Sequence, residues 1–299
     1  MVRAGTMSYR RRSASEWTLD VFVLLTMLFV LVITLYPFAY IISMSISGQE
    51  HVLNKSVWLY PKDISLHAYK QVFSNPNLWQ SYYNTIFYTV FGTLINVAMT
   101  VMAAYPLSRP KFVAKKFFMI MIVITMFFSG GLVPLFILIQ NLGLYNTRWA
   151  ILLPGAISAF NVIIARTFLQ TIPESLHESA KLDGANDADI LARIVLPLSK
   201  PILAVLSLFY AVGHWNSYLP ALMYLSDSKL HPLSVYLIKV LIENNTQMLE
   251  GMMEQATRSI YAIQIKYAII VVAVLPIVVI YPFLQKYFVK GVLIGSLKS

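Results

Sequence analysis

An all-α, polytopic membrane protein with six membrane-crossing helices is the fold class this sequence predicts. Three observations carry the expectation: a composition that cannot cover a soluble surface, apolar runs of bilayer length, and basic residues gathered at alternate ends of those runs. Of 299 residues, 58% are hydrophobic and 12% charged, with a mean hydropathy of +0.67. A soluble domain carries about 25% charged residues, so lipid is the natural solvent for much of this chain. The absence of cysteine excludes disulfides and thiolate metal sites.

A membrane-crossing helix needs about 20 mostly apolar residues. Six runs meet that need: Val21 to Ile46, Tyr83 to Tyr105, Phe117 to Ile139, Trp149 to Leu169, Ile202 to Leu225 and Tyr267 to Phe288. The fourth is interrupted by Pro154, Gly155, Ser158 and Asn161. Arg3, Arg10, Arg11 and Arg12 precede the first run and place the N-terminus in the cytoplasm, where positive charge is retained. Arg109, Lys111, Lys115 and Lys116 follow the second, Arg166 ends the fourth, and Lys181, Arg193 and Lys200 lie between the fourth and fifth. Lys286, Lys290 and Lys298 follow the sixth, so both termini are expected inside. The domain reading is a cytoplasmic tail over 1–16 and one membrane domain over 17–299. The first run is too long for a signal-peptide core and has no small-residue cleavage site, so it reads as an anchor.

Two longer segments, Ser47 to Tyr82 and Ser226 to Lys266, fall outside. Pro232 to Ile242 has helical apolar spacing and is expected to pack on the outer membrane face or against a partner.

The net charge of +10 does not point to nucleic acid, because the basic residues sit at the ends of apolar runs and form no extended face. No Asp, Glu or Lys falls within a span interior, and His214 is the lone titratable group at depth. An ion-coupled carrier would lack its mid-membrane carboxylate. The five histidines have no metal-ligand spacing, and neither a Gly-x-Ser-x-Gly elbow nor a phosphate-binding Gly-Lys loop occurs. No catalytic or metal-ligating residues and no cofactor are therefore assigned to this chain.

The densest polar signals lie between spans four and five. Pro173 suits the first position of a helix and Glu174 its positive end. Leu176 and Ala180 lie one turn apart and give that helix a small apolar face. Gly184 stops it, and Asn186 with Asp189 three residues on resembles a capping box opening a second helix, closed by Pro197 and Pro201. Two short helices joined at a glycine result.

The spacing of Glu178, Ala180, Gly184, Ile194, Leu196 and Pro197 resembles the motif of permease subunits of binding-protein-dependent ABC importers; Ser179 stands where that family usually has a second alanine. Asn84-Thr85, the Ala103 to Arg109 stretch, Gly130 to Pro134, Trp215-Asn216 and the Gln285 to Gly295 ending resemble its carbohydrate branch. The match is best to the maltose-type subunit and its lipo-oligosaccharide relatives. The resemblance implies a type I importer permease fold with a cytoplasmic coupling loop over 172–200 and a tail over 289–299. It implies an ATPase contact at Glu178, Ser179, Ala180, Leu182, Asp183 and Gly184, and packing of Ile194, Leu196 and Pro197 against the spans. It implies a tail contact through Gly291, Gly295 and Lys298. It further implies a bacterial cytoplasmic membrane location, a second, related permease, a cytoplasmic ATPase dimer holding ATP and magnesium, and an extracytoplasmic solute-binding protein that delivers an oligosaccharide.

Sugars are recognised by aromatic faces and by amides and hydroxyls. Ser158, Phe160, Asn161, Tyr210, Trp215, Asn216 and Tyr218 are therefore the candidates for a substrate path. A permease for amino acids or phosphonates, or an ion-coupled carrier, is the alternative.

Overall fold

The computed structural model describes residues 14–249, 263–279 and 282, and among these it is helical with no strand. In chain order the helices are α1 (Ala14–Ile46), α2 (Gln49–Leu53), α3 (His67–Phe73), α4 (Pro76–Ser108), α5 (Lys115–Phe127), α6 (Leu132–Asn141), α7 (Trp149–Leu152) and α8 (Ala159–Leu169). There follow α9 (Glu174–Leu182), α10 (Asp187–Ile190), a π turn at Leu191–Val195, α11 (Leu196–Leu198), α12 (Lys200–Trp215), α13 (Leu219–Tyr224) and α14 (Leu233–Leu249). The last is α15 (Ile263–Val279). The described residues divide into two compact units, one built from 14–70 and 263–271, the other from 71–249 and the residues from 272 on.

In the first unit α1 presents its apolar side chains outward along most of its length, as at Phe22 (69% exposed) and Phe29 (65%). Such a surface is a liability in water and the favoured state in lipid. The end of α1 is tied down where Met44, Val52 and Val57 are buried together against Tyr40 and Tyr267. Gln264, fully buried, donates Nε2 to the Ser47 carbonyl at 2.7 Å.

The second unit is organised on α4. Asn75 accepts from the Asn77 amide at 2.9 Å, and Pro76 takes the first turn, where its missing N–H costs nothing. Thirty-three residues make α4 roughly 50 Å long. Towards its C-terminus, Ala104, Tyr105 and Leu107 are buried with Val162, Ala165 and Leu169 of α8, Ile190 and Val195, and Leu206 and Tyr210 of α12. Towards its N-terminus, Tyr88 is buried with Ile139, Ala150 to Leu152, Ala221, Tyr224 and Val235.

Four span expectations need correction. The third run is two helices, α5 and α6, bent by 114°. Gly131 sits at φ +86 within the break, a conformation that glycine adopts without the Cβ clash. The fourth run is broken between Leu152 and Ala159 around Pro154 and Gly155, leaving α8 at 11 residues, too short to cross alone. The fifth ends as a helix at Trp215, and α13 resumes at Leu219; the helix arriving at Leu198 meets α12 at 83°. The sixth is already helical at Ile263, ahead of the expected Tyr267, and 280, 281 and the residues beyond 282 lie outside the described set. By length and composition two described helices can cross a bilayer, or up to four if each bent pair is one span.

The Pro232 to Ile242 segment with helical apolar spacing is indeed a helix, α14, and its Leu233 and Val235 are buried within this chain (2% and 0% exposed), while Ile242 is 59% exposed. The anchor is Asn84, fully buried on α4. Its Nδ2 donates to the carbonyls of Lys229 (2.7 Å) and His231 (3.1 Å), and next to it Thr85 Oγ1 accepts from the Leu233 amide at 2.7 Å. Each side chain satisfies backbone groups that would otherwise be stranded away from water.

Asn84→Ala should therefore destabilise the protein by roughly 1–3 kcal/mol, since the buried His231 carbonyl loses its donor and the Lys229 carbonyl loses one of two. The readout is the denaturant midpoint of the detergent-purified chain; an unchanged midpoint would show that the Asn84 link carries no weight.

Candidate functional site

The α9–α10 elbow is a built structure. Where α9 ends, the Ala185 amide donates to the Ala180 carbonyl (2.9 Å) and the Gly184 amide to that of Lys181 (3.1 Å). This is the double bond pattern of a Schellman motif, with Gly184 at φ +82 in the left-handed position it requires. Asn186 then caps α10, its side chain accepting from the Asp189 amide at 2.9 Å. Lys181 and Asp187 bridge the elbow at 3.0 Å, and that hydrogen bond raises the lysine pKa. Arg193 and Asp189 pair one turn apart at 3.4 Å.

Burial divides the predicted coupling residues into two sets. Ala180 is buried, and Ile194 packs half-buried against the same cluster. Leu196 is half-buried and Pro197 exposed. The deepest anchors are Ile190 and Val195, both 0% exposed. Each is worth about 1.5–3 kcal/mol of apolar burial. The motif spacing did not single them out, although both belong to the apolar pattern of α10 and the π turn. Glu178, Ser179, Leu182, Asp183 and Gly184 face outward, and Leu182 is 89% exposed.

The expected apolar pair on α9 is corrected. Leu176 is 41% exposed, and the residue buried beside Ala180 is His177, at 3%. Its ring stacks on Tyr105 with centroids 6.3 Å apart, and neither ring nitrogen has a hydrogen-bond partner among the described residues. Desolvation first, and the nearby Arg109 guanidinium second, hold the imidazole below its ordinary pKa. Arg109 closes this corner. It pairs with Glu174 at 3.1 Å, donates to the Leu169 carbonyl at 3.3 Å and lies 5.4 Å from the Tyr105 ring centre. One side chain thus fastens the start of α9 to the ends of α4 and α8.

Of the seven predicted substrate-path residues, Tyr210 alone lines the cavity between α4, α12 and the α7–α8 connection, which measures about 370 Å³. Its hydroxyl bonds Thr100 Oγ1 at 2.6 Å and accepts from the Ser158 amide at 3.2 Å. Ser158 serves as the α8 cap, its Oγ 3.5 Å from the amide of the buried Asn161. Phe160 is 49% exposed. Asn216 is exposed and turns back on its own helix, donating to the Val212 carbonyl at 2.9 Å. Trp215 is half-buried away from the cavity, and Tyr218 packs against the cluster around Tyr88.

The missed lining residues are Asn96 and His214. Asn96 Nδ2 donates to the Gly155 carbonyl at 2.7 Å, and its Oδ1 stands 3.3 Å from His214 Nε2. A Cβ on Gly92 would fall 2.4 Å from that nitrogen, so only glycine admits the ring there. The signal was present: Gly92, Asn96 and Thr100 recur every four residues on α4, opposite Tyr210 and His214 at the same spacing on α12. Gly291, Gly295 and Lys298 lie outside the described residues.

The family described as "binding-protein-dependent transport system inner membrane component" matches residues 81–294. The chain belongs to that family. It is 44% identical over 89% of its length, and 93% of the relative's, to the polygalacturonan/rhamnogalacturonan transport system permease protein YtcP of Bacillus subtilis (strain 168). It is 29% identical, over 88% of its own length and 91% of the relative's, to the melibiose/raffinose/stachyose import permease protein MelC of the same organism. In structure it resembles a chain of a bacterial ABC transporter involved in the import of the acidic polysaccharide alginate. The TM-score there is 0.86, with 36% identity and coverage of 93% of this chain and 99% of that one.

The buried, neutral-preferring His177 makes the seat of α9 pH-dependent. Its folded pKa is depressed from 6.5, so the released helix binds more protons just below that pH, and seating weakens as pH falls through the window. Amide hydrogen exchange in α9, corrected for intrinsic rates, should quicken at about pH 5.5 relative to pH 7.5, and His177→Phe should flatten the dependence. Equal slopes in the two proteins would remove His177 as the cause.

Proposed function

We infer that the chain is a permease subunit of an ABC importer for a sugar or oligosaccharide, a transport component of the inner membrane. We propose that the elbow is its coupling element, docking on a cytoplasmic ATPase subunit that binds ATP and magnesium. The observation that carries this is the exposure of Leu182 (89%) at the tip of a corner whose backbone is otherwise fixed by its cap, a glycine and an ion pair. A large apolar side chain held out on a rigid mount is what a partner's cleft requires. A force applied there passes through Arg109 into α4 and α8, and through Ile190 and Val195 into the cluster that contains α12. The elbow drives transport only if it contacts the two ATPase states unequally.

In this reading the elbow faces the cytoplasm with both termini. Six crossings are made by α1, α4, the bent α5–α6 pair, α7–α8, α12–α13 and α15. A second, related permease completes the path, and an extracytoplasmic binding protein delivers an oligosaccharide to the outer mouth. The names of the relatives cover neutral oligosaccharides and an acidic polysaccharide, and a carbohydrate substrate for this chain suits the hydroxyl, amide and imidazole lining of the α4–α12 cavity.

Leu182→Asp or Gly184→Trp should lower co-purification of the ATPase and sugar uptake at least 10-fold, with the permease still at normal level in the membrane. Full uptake in both would sink the docking assignment. For the cavity, His214→Leu should lower uptake in an assembled complex, whereas Asn216→Ala, which only loses a bond to its own helix, should not. The reverse ranking would move the path to the other side of α12.

A further inference from the structure

At the end of α4 remote from the elbow there is a second cavity, about 250 Å³, whose lining is basic and contains no Asp or Glu. It lies between the first turns of α4, the Ser228–His231 segment and α14, and it offers two ammonium groups, Lys229 and Lys239. Neither lysine has a carboxylate within ion-pairing distance among the described residues. Asp227, two residues before Lys229, is engaged at the Lys229 backbone amide at 2.9 Å and does not line the cavity.

Lys239 is aimed by a buried histidine. His231 is 5% exposed, and its Nε2 lies 3.0 Å from the Leu225 carbonyl, which can only accept. Nε2 therefore carries the ring proton, and Nδ1 presents its lone pair to the Lys239 ammonium 3.1 Å away. Two of the three ammonium protons are left for something else. The opposite wall is also pre-set: Gln80 and Asn84 both donate to the Lys229 carbonyl, at 3.1 and 2.7 Å. The remaining lining includes the hydroxyls of Ser81 and Tyr236, groups that bond sugar hydroxyls readily.

A recess of this size takes one sugar ring, and two ammonium groups in it with no carboxylate partner among the described residues call for an anion. We propose that this cavity is an entry subsite that receives the carboxylate of a uronate ring as an acidic oligosaccharide passes into the permease. Lys239 and Lys229 hold the carboxylate, and the hydroxyl and amide lining holds the ring. The proposal rests on the carbohydrate-importer reading and on the topology that puts the elbow inside, which places this end of α4, about 50 Å away, outside.

The chain lacks cysteine, so Ser228→Cys adds a single reactive thiol at the rim. Ser228 is exposed, and both lysines are retained. In proteoliposomes holding the complete importer, a membrane-impermeant maleimide added outside should label this subunit. Binding protein loaded with trigalacturonate should slow that labelling about 10-fold. Adding Lys239→Gln or Lys229→Gln to the cysteine variant should abolish the protection. Equal protection by sugar-free binding protein would overturn the proposal, because the occupant would then be an acidic side chain of that protein. Protection that survives both lysine substitutions, or that never appears, would overturn it as well. Uptake by the unsubstituted importer separates the two levels of inference. Transport of raffinose without trigalacturonate removes the uronate subsite alone, and transport of neither sugar removes the carbohydrate reading itself.

Discussion

A backbone or side-chain polar group in a bilayer has no water to fall back on, and that constraint organises the larger unit of this chain around α4. Ser81, Asn84, Thr85, Asn96, Thr100 and Ser108 are the buried polar residues of this largely apolar helix. Their bonds go in part to structure that lacks regular ladders of its own: Asn84 to the Ser228–His231 segment, Asn96 to the broken α7–α8 connection. The irregular backbone at Pro154 and Gly155 is tolerable at depth because α4 supplies a donor to it. Without that helix the Gly155 carbonyl at the break in the fourth run would be left unpaired, at several kcal/mol in hydrocarbon.

The same helix links the elbow to α14 within the larger unit. Its C-terminal end meets the elbow through Arg109 and Tyr105, and its N-terminal end meets α14 through Asn84 and Thr85. A rigid rod of about 50 Å is a suitable carrier of displacement, because helices resist compression while their packed neighbours slide. The α9–α10 elbow is likewise stiff rather than loose. Its turn is closed by backbone bonds, a side-chain cap and a glycine whose positive φ would cost another residue about 1 kcal/mol or more. The chain changes direction instead at the bends, by 114° between α5 and α6 and by 83° before α12.

Exposure separates what the chain does for itself from what its surroundings must do. The outward apolar faces of α1 and α5 are long and unbroken, as lipid or a second membrane subunit requires. Leu182 is a single apolar side chain on a polar corner, which is the scale of a socket rather than of a bilayer. The basic cavity at the other end is concave and ordered by hydrogen bonds, so it fits a small solute better than a flat protein face.

Much of this was legible from residue order alone. Apolar run length, the placement of Arg and Lys, and the Gly184 and Asn186 signals are local properties. They predicted the helical membrane class and the elbow, down to the cap at Asp189 and the left-handed glycine. Local signals could not say which side of a helix is buried. Leu176 reads as a core residue and His177 as a surface one until Tyr105, 72 positions away in the chain, supplies the stacking partner. Asn216 reads as a path residue until its amide is seen on its own helix, and Asn96 and His214 face each other only because α4 and α12 pack there. Hydropathy alone also hid the break in the third run, since Gly-Gly-Leu-Val-Pro is apolar enough to count toward a span while its backbone does not continue one. Composition and period set what the segments are; long-range packing, which has no local period, decided where each polar group points.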